Sequence, residues 1–468
     1  MEHLPAYPSY KRTSSRWVPR VPQHWQLLRA KYFLREIDDR SMIGDEPLLS
    51  MRQYRGLVPH NDVSTKHIGA EHLVGYKRAH PDELILNRMQ AGNAMFFRSS
   101  LFGLVSPDYA VFRTLRDDSP EYLGHLFRSP PMCSLFRSES KGLGTGTSGF
   151  LRLYSDRFAP LFIPLPPRPE QDQIVAYLRA QDAHIARFLK VKRELIGLLN
   201  EQKLQIINHA VTHGLDAAAK LMPSGIHWLG EIPARWIVKP LKRWVSINEQ
   251  TLGEKTSLDF EFRYVDIGAV KTGGLVRDLE WLRFRAAPSR ARRVLRKGDT
   301  IISTVRTYLK AIWYVDEDAA DLIASTGFAV LTPGNGVEPE YLGYVIQSTG
   351  FVDRVTANSI GIAYPAIAET VLGRFPVAMP STVEEQRGIV AWIKHESAPL
   401  DQAIQQAFDE IKLVREYRDR LIADVVTGQV DVRGWVPGPD DGVADDDLAV
   451  LAGDEEPNTE GDDEDGGN

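Results

Sequence analysis

Two short patterns in this chain have the residue types that catalysis needs. The segment Gly144–Gly149, GTGTSG, matches G-x-G-x-x-G. Its glycines could let backbone amides approach a dinucleotide, but only between a strand and a helix of a βαβ unit. Here SESKGL precedes it and the strand-like FLRLY follows, so the segment reads as a loop. Pro107-Asp108 followed by Glu139-Ser140-Lys141 has the order of a PD…ExK nuclease. There the carboxylates would hold a metal and the lysine would sit near the attacked phosphate. The pattern is short, and Thr326-Gly327 stand at the corresponding place later in the chain. His67, Glu71 and His72 could suggest a metal site, but no further Cys/His cluster accompanies them and they read as loop residues. There is no G-x-x-x-x-G-K-[ST] for a nucleotide triphosphate, and no Asn-Pro-Pro-aromatic tetrapeptide of the kind used on a flipped base. No residue is assigned a catalytic or metal-binding role.

The chemistry that does stand out is cationic. Between Arg277 and Lys297 lie Arg277, Arg283, Arg285, Arg290, Arg292, Arg293, Arg296 and Lys297, against only Asp278 and Glu280, with Trp281 and Phe284 interleaved. Arginines supply phosphate contacts and can read guanine bidentately. In the first half of the chain the cations are more spread out. The candidate DNA-binding residues are Arg52, Arg55, Lys77, Arg78, Arg88 and Arg152 there, and Arg283, Arg285, Arg290, Arg292, Arg293 and Arg306 in the second half. The formal net charge of −6 conceals this character, because residues 436–468 hold 13 acids and no Lys or Arg. Without them the balance is 56 basic against 62 − 13 = 49 acidic residues, or +7. The acidic tail is expected to be disordered and to serve solvation.

These residues sit in a chain that repeats itself. WVPRVPQHW (Trp17–Trp25) answers WLGEIPARW (Trp228–Trp236) at an offset of 211. PDELIL answers GDTIIS, with Asp82 against Asp299, at 217, and SPEYLGHLFRS answers EPEYLGYVIQS, with Tyr122 against Tyr341, at 219. EQDQIVAYL answers EQRGIVAWI, with Glu170 against Glu385, at 215, and this last offset holds through VTHGLD and VTGQVD. A unit of about 210 residues present twice is a domain duplication rather than a solenoid. Each copy has a variable front part and a length-locked back part.

The back part predicts a long helix. From Glu170 to Val211 there is no proline and one glycine, Gly197. Steps of four and three run through Ile174, Leu178, Gln181, Ile185, Phe188, Lys192, Leu195, Leu199, Gln202 and Ile206. In the second copy they run through Ile389, Ile393, Glu396, Leu400, Ala403, Ala407, Glu410, Val414, Tyr417 and Leu421. Two such stripes of equal length are expected to pack on each other as a coiled-coil-like pair, with Ile174, Leu178, Ile185, Phe188, Leu195, Leu199, Ile206, Ile389, Ile393, Leu400, Val414, Tyr417 and Leu421 at the seam. About 37 helical residues give a rod of roughly 55 Å. The prolines of PLFIPLPPRP (Pro160–Pro169) are expected to make a stiff lead-in that neither pairs as a strand nor coils.

The front parts predict mixed α/β structure. FRYVDIGAV, DTIISTV, AIWYV and GFAVLTP read as strands, and EYLGHLFRS and EYLGYVIQS as short amphipathic helices opened by Pro-Glu. The expected organisation is an α+β chain with domains at 1–165 and 226–380, a central helix and linker at 166–225, a distal helix at 381–435, and the tail at 436–468. No apolar run approaches the roughly 20 residues of a membrane span, the first residues lack the apolar stretch of a signal peptide, and a single cysteine, Cys133, suits a reducing compartment. A cytoplasmic location is expected, with no membrane partner.

The residues resemble a known family, the specificity (S) subunits of Type I restriction–modification enzymes, over nearly all of residues 17–431. In the first copy the resemblance lies in LLSMRQYRGLVP, LVGYKRAHPDELILNRMQA, GLVSPDYAVFR and the FLRLYSDRF…IPLPPRPEQ junction. In the second it lies in YVDIGAVKTGGLV, ARRVLRKGDTIISTVRTYLKAIW, IASTGFAVLTP and IGIAYPAI. The Pro-rich lead into Glu-Gln and a long helix is its most specific feature. The resemblance implies two target-recognition domains separated by two long antiparallel helices, each domain reading half of a bipartite DNA sequence. It implies double-stranded DNA, two methyltransferase (M) subunits carrying S-adenosylmethionine, and two restriction motor-nuclease (R) subunits using ATP and Mg as partners. No cofactor is expected on this chain, and it would be a non-catalytic subunit. Because the front parts differ, the DNA half-sites should differ too. The family often has arginines around GTSGFLRLY, whereas here Arg152 stands beside Thr147 and Gly149; the acidic tail also lies outside the family pattern. The competing readings are a stand-alone PD…ExK nuclease and a coiled-coil interaction protein without DNA binding.

Overall fold

A computed structural model describes residues 4–53, 55–64, 66–143, 150–226, 228–362, 364–439, 441–442 and 451. The GTGTSG segment and most of the acidic tail lie outside these residues. The chain forms two compact units, Met1–Glu194 with Ala407–Asn468, and Leu195–Gln406. Among the described residues no helix is long and apolar enough to cross a membrane.

Each unit is built on the same small sheet. In the first unit four antiparallel strands lie in the order Leu34–Ile37, Ala110–Thr114, Leu84–Leu86, Phe96–Arg98. In the second the order is Val245–Ile247, Phe328–Pro333, Thr300–Ser303, Ile312–Tyr314. Two consecutive helices follow each sheet, Pro120–Arg128 and Pro130–Glu139 in one, Pro339–Gln347 and Thr349–Ala357 in the other. The first of each pair opens on proline, whose missing N–H falls where a helix has no acceptor for it. Ser119 caps the earlier one by accepting from the Tyr122 amide. The sequence offset of 211 survives in the strand register, since Tyr10–Arg12 pairs with Arg20–Pro22 as Leu221–Pro223 pairs with Glu231–Pro233.

The units differ where the offset drifts. The second carries an extra four-stranded sheet, ordered Glu280–Arg283, Glu261–Val265, Leu322–Ser325, Ala291–Val294. In the corresponding stretch the first has only two-stranded pairs, Leu49–Arg52 with Gly56–Pro59 and Lys77–Ala79 with Gly103–Val105. Their cores differ as well. The rings of Phe96, Phe112, Phe127, Phe136 and Phe158 form one cluster in the first unit, with centroids of Phe96 and Phe127 at 4.6 Å.

Two long helices, Arg168–His213 and Val383–Val426, supply the back parts. Within the first unit they run antiparallel, Arg418 donating to Asp182 at 2.7 and 2.9 Å and Lys192 pairing with Glu410. Within the second they are again antiparallel, with Lys203 at 2.6 Å from Asp401. Each unit thus contains the opening turns of one long helix and the closing turns of the other. Ile174 and Leu178 join Leu421, Val425 and Val426 in the first core, and Ile207 and Val211 join Ile389 and Ile393 in the second.

The seam follows the expected stripe only in part. Ile174, Leu178, Ile185, Ile389, Ile393 and Leu421 are buried, and Leu199, Ile206, Leu400 and Val414 are half-buried. Phe188, Leu195 and Tyr417 are instead exposed, at 36, 39 and 40%. A strict 3.5-residue step slips about 20° per heptad behind a 3.6-residue helix. The buried line therefore moves one residue on, to Leu189 and, further along, to Ile207. The second helix also contains Pro399, which cannot donate to the carbonyl one turn back.

The proline-rich lead-in departs from expectation too. Phe162–Leu165 pairs antiparallel with Gln26–Arg29, and Pro376–Met379 with Ile237–Pro240. Each is a two-stranded ribbon with no third strand, which leaves Pro164 and Pro376 on edges where a missing N–H is tolerated. Pro169 lies in the first helical turn.

Candidate nucleic-acid interface

The Glu-Gln pair that opens each long helix has a structural task that its sequence position did not reveal. Glu170 accepts from the Tyr7 hydroxyl at 2.6 Å and the Trp25 indole at 2.8 Å, and lies 2.7 Å from the His24 ring. Gln171 accepts from the Ser119 amide at 2.7 Å and donates to Asp118 and to the Pro166 carbonyl. Glu385 repeats the first pattern with Trp236 at 2.9 Å, and Gln386 the second with the Glu338 amide at 2.7 Å. The pair stitches the start of the long helix to the tryptophan of the N-terminal hairpin and to the start of the helix after the sheet. Burial and the Glu170 carboxylate together push the Tyr7 hydroxyl well above its usual range.

The candidate cations fare unevenly. Lys77 is buried at 4%, donates to the Tyr109 carbonyl at 2.8 Å and lies 3.6 Å from Asp38. Its ammonium is turned into the unit, where burial pushes its pKa down, and it is not offered to a phosphate. Arg78 is held by Glu46 at 2.7 Å and Asp39 at 3.2 Å, Arg88 pairs with Glu36, and Arg152 lies 3.1 Å from Asp108. Arg52 donates to the Val63 carbonyl, and Arg55 is exposed.

In the second unit the basic run is distributed over the extra sheet and its turns. Acids distant in sequence meet it there. Arg277 faces Asp266 at 2.5 Å, Arg283 faces Glu261 at 2.8 Å and Arg285 faces Asp259 at 3.5 Å. Arg293 pairs with Glu369 at 2.7 Å and Arg296 with Glu249 at 3.1 Å. Arg292 stacks on Phe284 with its guanidinium carbon 4.7 Å from the ring centre, and Arg290 is half-buried. A run of unbalanced charge in sequence is largely a set of ion pairs in space.

Arg306 is different. It forms no ion pair among the described residues and lies over the Tyr364 ring at 4.9 Å. Its backbone is left-handed, with φ +51°. Around it stand Tyr308, Lys310, Ile360 and Ile362, all exposed. None of these four was named as a candidate DNA-binding residue, although all lie in segments that carry the family resemblance; the available signal was the apolar IGIAYP stretch, where a loop is normally polar.

The nuclease-like carboxylates both face arginines. Asp108 is occupied by Arg152, and Glu139 lies 4.0 Å from Arg157. The His72 ring lies 3.6 Å from Glu71. Among the described residues no three His, Cys, Asp or Glu side chains are grouped to hold a metal.

No protein-family model matches this chain, and no curated protein does. Solved structures do match. A chain from "Structural basis underlying complex assembly and conformational transition of the type I R-M system" superposes with a TM-score of 0.54 at 16% identity, over 88% of this chain and 99% of that one. The fold is shared with a chain of a type I R-M system. Two crystal structures of S subunits also align. The HsdS subunit from Thermoanaerobacter tengcongensis gives 17% identity, 89% and 98% coverage and a TM-score of 0.37. The S subunit from M. genitalium gives 14% identity, 86% and 96% coverage and a TM-score of 0.33. The shared fold spans 88% of this chain.

Proposed function

We propose that this chain is the DNA-specificity subunit of a Type I restriction–modification enzyme. The observation that carries the reading is one scaffold built twice with two different surfaces. The sheet order, the paired helices and the Glu-Gln stitching are common to both units. The extra sheet, the core aromatics and the surface cations are not. Shared parts suit a common partner, and divergent parts suit two unlike halves of an asymmetric bipartite DNA site. Residues 1–165 and 226–380 are the two target-recognition domains, and the paired helices set the spacing between half-sites.

In this role the chain does no chemistry. Two M subunits carry S-adenosylmethionine and methylate adenine, and two R subunits use ATP and Mg for translocation and cleavage, in the cytoplasm. The fold shared with a chain of a type I system, and the pairing of Asp108 and Glu139 with arginines, favour this over a stand-alone nuclease.

The test is selection of random duplex DNA by the full chain, repeated at several salt concentrations. Two short, unlike, separated sequence elements are expected, with affinity falling steeply as salt rises because cations replace condensed counterions on phosphates. Salt-insensitive or undetectable binding would return the chain to a coiled-coil interaction protein. Cleavage by the chain alone, abolished in Asp108→Ala, would support the nuclease.

A further inference from the structure

We infer that the loop carrying Ile362 and Tyr364, with Arg306 stacked on the Tyr364 ring, is the element of the second unit that enters a DNA groove and contacts bases. The inference rests on the DNA-reading function proposed above. It names residues outside the basic run that the sequence favoured.

The two ends of the loop are held. Ile360 and Ala366 exchange backbone hydrogen bonds at 2.8 and 2.9 Å, closing the turn. The Ile367 amide donates to the Thr304 carbonyl at 2.8 Å, and the Thr307 and Ser359 hydroxyls meet at 2.8 Å. Gly361 makes the bend at φ +125°, where a Cβ would stand 2.9 Å from the Tyr364 carbonyl oxygen. The neighbouring turn Thr307–Leu309 is bracketed by Arg306 and Lys310, both left-handed. Such conformations are unfavourable for residues with a Cβ and persist where surrounding structure enforces them, often at binding sites. Thr272 supports the second by donating to the Lys310 carbonyl at 2.7 Å.

What the frame presents is unusual for water. Ile362 is fully exposed, Ile360 is 84% exposed and Tyr364 64%. Apolar exposure alone would fit a protein partner equally well, but the cations decide the occupant. Arg306 and Lys310 form no ion pair among the described residues, whereas Arg283, Arg285 and Arg293 on the extra sheet are matched by acids. An apolar tip flanked by unneutralised cations complements a groove, with phosphates along its walls and apolar base surface, such as a thymine methyl, at its floor. The Tyr364 ring lies 4.9 Å beneath the Arg306 guanidinium and restrains it, which lowers the ordering cost of a base or phosphate contact.

The full chain is tested by the same duplex selection, comparing wild type with Ile362→Ser/Tyr364→Ala, with Arg306→Ala, and with Lys394→Ala, an exposed cation paired with Glu340, as a surface control. The double variant and Arg306→Ala are expected to lose tenfold or more of their discrimination at one half of the site. The other half and the melting temperature should be unchanged, and Lys394→Ala should behave as wild type. If wild type selects two half-sites and both variants still read them equally well, the loop assignment is wrong and the DNA-reading function stands. Equal loss of both halves also overturns it, since one loop cannot read two separate elements. If wild type selects no sequence, the function and the loop assignment fall together.

Discussion

His125 illustrates how one side chain ties stability to pH. It sits on the helix Pro120–Arg128, and burial, aided by Arg128 and Arg418 and opposed by Asp182 and Glu121, pushes its pKa from 6.5 down to about 4. A depressed histidine leaves stability intact above the unfolded value. As pH falls below about 6.5 the unfolded chain takes up a proton that the folded chain refuses, and stability declines until about pH 4. The full effect is on the order of 3 kcal/mol. Melting curves between pH 7.5 and 4.5 should therefore steepen their fall near pH 6, and His125→Gln should flatten that part of the profile. No change on substitution would mean the ring is not desolvated. None of this was legible in the sequence, where His125 is one residue of an amphipathic helix. The same holds for Lys77, whose burial follows from strands that are distant in sequence.

Glycine marks the ends and middle of the long helices with opposite consequences. Gly428 ends the second one at φ +73°. Its amide donates to Val425, and that of Gln429 donates to Asp424, the paired bonds that close a helix on a left-handed residue. A Cβ there would stand 2.4 Å from the Pro22 ring and 3.1 Å from Trp25. Gly428→Ala is expected to cost about 2 kcal/mol or more from backbone strain and the clash with the proline ring. Gly197 lies within the first long helix with nothing near its missing Cβ. Gly197→Ala should stabilise by about 0.5–1 kcal/mol, because alanine loses less backbone entropy on coiling. Denaturant midpoints of the two variants should move in opposite directions, and a shift of both the same way would contradict this account of the helix ends. The helices themselves were legible from periodicity, but their faces were not, because a fixed heptad step drifts off a straight helix and carried Phe188, Leu195 and Tyr417 into solvent.

For the whole molecule the proposed function predicts a separation of tasks. Inserting one heptad at matching places in both long helices should change the number of base pairs between the two half-sites and leave the half-site bases as they were. Mapping methylated adenines in cells that carry the altered system would read this directly. Altered half-site bases with an unchanged spacer would sink the division of labour. Charge tells a related story at this scale. The densest basic run in the sequence is largely neutralised in the fold by Asp259, Glu261, Asp266, Glu249 and Glu369, which come from other elements.

The two front-and-back copies, the presence of two long helices of nearly equal length and most strand and helix types were determined by the sequence alone, though the helices run to 46 and 44 residues rather than about 37 and the proline-rich lead-in pairs as a strand. They follow from local periodicity, proline and glycine placement, and an internal comparison that needs no coordinates. Tertiary structure alone decided which cations remain unpaired, which face of each long helix is covered, and that each unit borrows the closing turns of the other copy's helix. Ion pairing and burial depend on residues brought together across hundreds of positions, as with Asp182 and Arg418 or Trp25 and Glu170. No local pattern carries that information.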